Sequence, residues 1–258
     1  MDLGLSGRRA LITAASKGLG KACALALAQE GAHVFIAARG AGELEKASTE
    51  VRAAGRMAAD VSDRLVPQRL VDAAATAMGG LDILVSNAGG PPPGTFLATE
   101  LEAWDKGYQL TLMSFVRLVK AALPYLDQSD QARIVILTST SVREPNPNIV
   151  LSNAFRSAVT SAAKTLSVEL MPKGITVNTL QPGRILTDRI LELDSSVAAR
   201  EGITREAVTE RSVRAIPAGR LGRVEEFGAA CAFLCSKHAS YITGQNLAID
   251  GGMLKGVH

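Results

Sequence analysis

Aromatic residues are scarce in this chain: one Trp, three Tyr and six Phe, 4% of 258 residues. Ala, Val, Leu and Ile must therefore fill the interior, and at 47% hydrophobic there is enough apolar material for a large core. An excess of one charge is lacking too. The net charge is +3, with 28 basic against 25 acidic residues spread along the chain, too mild to imply nucleic acid. No apolar run is long enough to span a bilayer. The opening MDLGLSGRRALIT holds too short an apolar stretch for a signal peptide. Cysteine is rare: Cys23, Cys231 and Cys235, all in apolar segments that read as helices. An odd count without a secreted framework predicts reduced thiols and a cytoplasmic protein. Cys231 and Cys235 stand four apart, a spacing that a metal pair could use. With no third ligand nearby in sequence they read as small core residues. His33, His238 and His258 have no ligand spacing either, so no metal is expected.

What the chain does have is alternation. Short continuous apolar runs lie at 9–13, 33–37, 56–60, 82–86, 133–138, 175–180 and 245–250. Such runs suit strands buried on both faces. Helical patterns at 18–30, 41–54, 64–78, 100–127, 150–171 and 224–236 separate them. This order predicts an α/β fold, a doubly wound parallel sheet of Rossmann type, in a single domain spanning 1–258. The breaker cluster GGPPPG at 89–94 directly follows a strand and reads as a loop on the functional face. Segment 184–220 is polar, charged and irregular in pattern, and is expected to leave the core and cover a site.

The first strand runs into TAASKGLG at 13–20 and then into an Ala/Leu helix. A glycine-rich turn at that place lets backbone N–H groups approach a pyrophosphate, and the helix N-terminus adds partial positive charge. Gly18 and Gly20 suit this role. Tight turns also need glycine for steric reasons alone.

Here the sequence resembles the short-chain dehydrogenase/reductase family, whose first turn reads T-G-x-x-x-G-x-G. This chain has Thr13, Ala14, Gly18 and Gly20, with alanine at the first glycine position. The resemblance extends over nearly the whole chain. Asp60 and Val61 match the pair that faces adenine. Ser86-Asn87-Ala88-Gly89 matches the family's N-N-A-G. Pro182-Gly183 follows the sixth strand, with Ile185 and Thr187 at nicotinamide-contacting positions, and YITGQNLAIDGG at 241–252 resembles the last strand. The resemblance places Thr13, Ala15, Ser16, Lys17, Gly18, Leu19, Asn87, Ala88 and Gly89 around a dinucleotide as well. The second strand ends at Arg39, where an acid would favour NAD through the ribose hydroxyls. Arg39 and Lys17 are two cations suited to a 2′-phosphate, so NADP(H) is expected, with NAD(H) the alternative. The alternative is that both are solvated surface cations.

The family's reaction uses a Ser to polarise a carbonyl, a Tyr to supply the proton, a Lys to tune that Tyr, and an Asn to support a water relay. Ser139 ends the fifth strand in the expected place. The Tyr position is Ser152, the Lys position Arg156 and the Asn position Thr111. Arg156 keeps a charge that can bind ribose hydroxyls or steady an alkoxide, but a guanidinium does not give up its proton. Ser152 is a far weaker acid than a phenol. Glu144, in a loop with Arg143, and Tyr108, one helical turn before Thr111, are weaker substitutes for the proton donor. This replacement pattern is similar to a divergent subgroup labelled 3-oxoacyl-acyl carrier protein reductase-like. The resemblance implies an oxidoreductase acting on a small carbonyl or alcohol, without nucleic acid or membrane partners. It also implies a homotetramer or homodimer built on the long helices 100–127 and 150–171 and on the last helix and strand. The missing pair keeps a second reading open: a dinucleotide-binding protein with little or no turnover.

Overall fold

The computed structural model describes residues 1–256; His258 lies outside the described residues. Seven strands form: β1 (Arg9–Thr13), β2 (His33–Ala38), β3 (Gly55–Ala58), β4 (Ile83–Ser86), β5 (Arg133–Leu137), β6 (Thr176–Pro182) and β7 (Asn246–Ile249). They make one sheet in the order β3-β2-β1-β4-β5-β6-β7, and every neighbouring pair is parallel. The bounds differ from the sequence pattern by a residue or two, as strand ends commonly do.

The apolar runs are continuous because both faces of this sheet are covered. Ala10 and Ile12 of β1, Ile83 and Val85 of β4, and Val135 and Leu137 of β5 enter one core. That core also holds Cys23, Ala24 and Leu27 of α1 (Gly18–Gln29), Leu44 and Ala47 of α2 (Ala41–Val51), and Phe227 of α9 (Val224–Cys235). The alternate residues Leu11, Leu84, Ile134 and Ile136 face the opposite core. There they meet Leu70 and Ala74 of α3 (Val66–Met78), Phe115 and Leu118 of α5 (Ser114–Leu126), and Val159 and Ala163 of α6 (Val150–Leu170). Strict two-residue alternation between two apolar layers is what a parallel sheet between helices requires. The strand order reverses at β1 and β4, which opens a crevice beyond their C-terminal ends.

Two sequence expectations are corrected. The single helix expected over 100–127 is broken into α4 (Leu101–Gly107), a π-helical segment (Tyr108–Met113) and α5. A π segment inserts one residue into a helical turn, which a 3.6-residue pattern does not reveal. Gly107 permits the close approach of α6 here: a Cβ on it would come 2.9 Å from a ring carbon of Phe155. Segment 184–220, expected to be irregular, contains two helices, α7 (Asp188–Glu201) and α8 (Arg205–Arg214). Thr187 and Thr204 cap them, accepting from Ile190 N at 3.4 Å and Ala207 N at 3.2 Å. Their apolar stripe is narrow, since only Val208 of α8 is buried, so periodicity hides them. Buried Asp194 of α7 ties them down through Arg184 and through Thr209 Oγ1, which donates at 2.9 Å.

The cysteines are core residues, as the sequence reading expected. Distant in sequence, Cys23 of α1 does reach Cys231 of α9. All three thiols are free and buried. Hydrogen bonding to Cys23, together with desolvation, pushes the Cys231 thiol well up. These are inert core thiols rather than reactive ones.

Candidate active site

A cleft of about 1580 Å³ lies over the C-terminal ends of the strands. Its floor starts with the turn after β1. Ala14 sits in the left-handed region at φ +48°, and so does Gly18 at φ +57°. The first explains a glycine at this place in the family's motif, because a Cβ is strained there. Gly20 is needed for a different reason: a Cβ on it would lie 2.4 Å from Ala14 O. The turn is pinned to the next strand by Thr13 Oγ1, which donates to Asn87 O at 2.6 Å and accepts from Asn87 N at 2.9 Å. Asn87 Nδ2 in turn donates to Ala14 O at 3.3 Å.

The N-terminus of α1 has no side-chain cap and no acid in its first turn. Its first N–H groups therefore remain available, and with Ser16, Lys17, Gly18 and Leu19 on the cleft wall they fit a phosphate. Lys17 Nζ lies 3.3 Å from Asp188 Oδ2, across the cleft mouth, with both side chains largely exposed. Arg39 is exposed at the rim and lies near Gly89, 3.9 Å from where a Cβ would sit. Asp60 and Val61 line the same end. Burial works against the charge on Asp60, but hydrogen bonds from Ser62 and the nearby Arg39 hold its carboxyl below the usual range.

The other end of the cleft holds Ser139, Ser152 and Arg156. Ser139 is in extended backbone just after β5, and its Oγ accepts from Ser141 N at 3.1 Å. That bond leaves the hydroxyl proton free to donate. Ser152 and Arg156 are one turn apart on α6, so they share a face. Arg156 Nη1 donates to Leu137 O at 2.7 Å. Its guanidinium is desolvated although the residue keeps an intermediate exposure at the cleft wall. Desolvation, with the charge of Arg189 added, pushes it down to about 10, so it stays protonated at neutral pH.

Not every expected residue reaches the cleft. Ala88, Gly89, Pro182, Gly183, Ile185 and Thr187 line it. Thr13 and Ala15 are fully buried behind the first turn, where they hold it in place. Thr111 is buried in the π segment, and its hydroxyl has no hydrogen-bond partner among the described residues. The two weaker donor candidates fail on geometry. Glu144 Oε1 accepts from Lys255 N at 2.8 Å and Arg143 Nη2 donates to Asn246 O at 2.6 Å, so both serve the C-terminal segment. Tyr108 packs on Phe155 with ring centroids 6.2 Å apart and is not part of the cleft wall. Among the lining residues that the sequence reading missed is Arg189, in the first turn of α7. Its place after the Pro-Gly of β6 was the available signal.

Comparison with known proteins agrees with this geometry. The family model described as enoyl-(acyl carrier protein) reductase matches residues 13–254. The chain is 31% identical to the NADPH-dependent reductase BacG of Bacillus subtilis, over 98% of this chain and all of that one. Among solved structures, L-sorbose reductase from Gluconobacter frateurii, complexed with NADPH and L-sorbose, is 30% identical with a TM-score of 0.94 and covers both chains fully. A short-chain oxidoreductase from Pseudomonas aeruginosa PAO1 containing an atypical catalytic center is 31% identical with a TM-score of 0.89, covering 98% of this chain and 100% of that one. On its sheet order, its first turn and these matches along its full length, the chain belongs to the short-chain dehydrogenase/reductase family.

Proposed function

We propose that the chain is an NADP(H)-dependent oxidoreductase that interconverts a small carbonyl compound and its alcohol. The observation that carries this reading is one continuous cleft running from Arg39 and the first turn to Ser139 and Arg156. The α1 N-terminus and Gly18 would hold the pyrophosphate, and Arg39, with Lys17 beside it, the 2′-phosphate. Asp60 and Val61 would face the adenine, and Asn87, Ala88, Gly89, Pro182, Gly183, Ile185 and Thr187 the ribose and nicotinamide. When bound, the cofactor supplies a hydride to the carbonyl carbon. Ser139 then donates its free proton as a hydrogen bond to the carbonyl oxygen, and Arg156 steadies the negative charge that grows there. Neither loses a proton, so the alkoxide takes its proton from water. Ser152, much smaller than a tyrosine, would leave room for that water at the cleft wall. α7 and its flanks, through Leu186, Ile190 and Leu193, cover the substrate end.

A 3-oxoacyl compound is a carbonyl of this kind, supported by the resemblance and by the acyl-carrier description of the family model. Assembly as a homotetramer is supported by the exposed apolar residues Val168 on α6, Phe233 on α9, and Tyr241 and Leu247 near the last strand. A reducing, cytoplasmic setting is supported by the three free thiols. The second reading, cofactor binding without turnover, is favoured by one observation: Arg156 is turned onto Leu137 O.

The test is to titrate NADPH by fluorescence and then screen ketones and alcohols by cofactor absorbance. Binding with turnover supports the proposal, and Ser139→Ala should then cut kcat by about 100-fold or more. Binding without turnover of any compound leaves the second reading, and no binding of NADPH sinks both.

A further inference from the structure

Two cations converge on the reactive end of the cleft, and only one is accounted for above. Arg156 spends one donor on Leu137 O and has no carboxylate partner among the described residues. Arg189 reaches the same wall from α7. Its Nη2 donates to Pro91 O at 2.8 Å, and its guanidinium lies against Gly90, 3.3 Å from where a Cβ would be. The glycine is therefore the seat on which this arginine rests. Its nearest acid is Glu192, a largely exposed residue whose carboxylate oxygen is 3.7 Å away. Asp188, the other acid at this end, lies 3.3 Å from Lys17, with both side chains largely exposed.

The acids beside Arg189, Glu192 and Asp188, are both largely exposed, and such pairs compensate a charge only weakly. Arg189 stands in the first turn of α7, where the helix end already carries partial positive charge. Arg156 and Arg189 line the same cleft, and desolvation, followed by the charge of Arg189, pushes the Arg156 guanidinium down. An oxyanion between the two arginines would relieve all of these terms, and Arg189, with two edges of donors, can meet a carboxylate bidentately.

We propose that the substrate is an oxo acid: a small 2- or 3-oxo carboxylate whose carboxyl group is held by Arg189 together with the free edge of Arg156. This rests on the oxidoreductase reading and narrows its substrate class. Reduction puts a second negative charge on such a molecule, since the hydride adds to the carbonyl carbon and the C=O pair moves to oxygen. Two cations then face two anionic groups, until a proton from water neutralises the alkoxide. A carrier-borne thioester would develop one charge only and leave Arg189 unmatched. The same oxyanion chemistry could be supplied by the cofactor's pyrophosphate, and the test separates the two.

A panel of 2- and 3-oxo acids, including acetoacetate, and their methyl esters serves as the probe set. Two measurements are made with the wild-type protein: kcat/KM with NADPH, and calorimetric binding to the NADP⁺-loaded protein. The expected result is a preference for acid over matched ester of about tenfold or more in at least one pair. Arg189→Gln, which removes the charge but keeps an N–H for Pro91 O, should collapse that ratio towards one. Arg189→Lys should restore part of it. Acids that bind more tightly than esters, lost in Arg189→Gln, uphold the carboxylate site even when nothing turns over; that outcome overturns only the turnover claim. Acids and esters that bind or react alike overturn the proposal. So does a rise in the NADPH dissociation constant of Arg189→Gln as large as the loss of preference, because the anion would then be the pyrophosphate.

Discussion

The two ends of the cleft have diverged differently. At the cofactor end, the family's first glycine has become Ala14, yet the turn keeps its left-handed backbone and its ties to Asn87. At the reactive end, three of four residues differ in type, and the side chain at the lysine position bonds to Leu137 O. The difference lies in what each end asks of its residues. Phosphate binding draws on backbone N–H groups and a helix terminus, which survive a change of side chain. Proton transfer asks for a particular group with a particular pKa, and no serine or arginine can supply what a phenol beside an ammonium does. Binding therefore tolerates drift better than chemistry does.

The sharpest way to break this contrast is to restore the reactive end. The double variant Ser152→Tyr with Arg156→Lys should raise kcat for ketone reduction by about 100-fold or more, because a tuned general acid contributes about 10²–10⁴. Stopped-flow loss of NADPH absorbance reads it, and no gain would mean that the hydride and carbonyl do not meet here. A smaller effect tests the cofactor end. Arg39→Ala should weaken NADPH binding by roughly 10- to 100-fold and NADH binding by less than about twofold, since a hydrogen bond to a charged group is worth about 1.5–3 kcal/mol. Equal losses for both cofactors would place Arg39 away from the 2′-phosphate. The smallest effect is Ala14→Gly. Relief of the left-handed alanine should stabilise the fold by about 1 kcal/mol, measured by urea unfolding. A destabilised variant would mean that the turn carries no strain at this residue.

Legibility followed the same division. The parallel sheet was readable because each strand is a continuous apolar run between helices, and the ordered turns after β1, β4 and β6 named the family. The helices α7 and α8 were not readable, because their sequences are too polar for periodicity to report them. Nor was the break at Tyr108–Met113, since one inserted residue leaves composition and apolar spacing almost unchanged. Glu144 and Tyr108 illustrate the limit from the other side. Both stood near reactive positions in the chain, and the fold sends one to the C-terminal segment and the other onto Phe155.

By itself the sequence determined the strand and helix order, the glycine-bearing turn and the absence of the Tyr/Lys pair. These depend on local residue type, on periodicity and on fixed spacing within one element. The tertiary structure alone decided that Arg189 lines the same cleft as Arg156, that Cys23 meets Cys231, and that Thr13 holds the first turn rather than facing the cleft. Each of these joins groups from separate elements, and only sheet order and helix packing bring such groups together. Electrostatic energy falls with distance in space, whatever the separation along the chain.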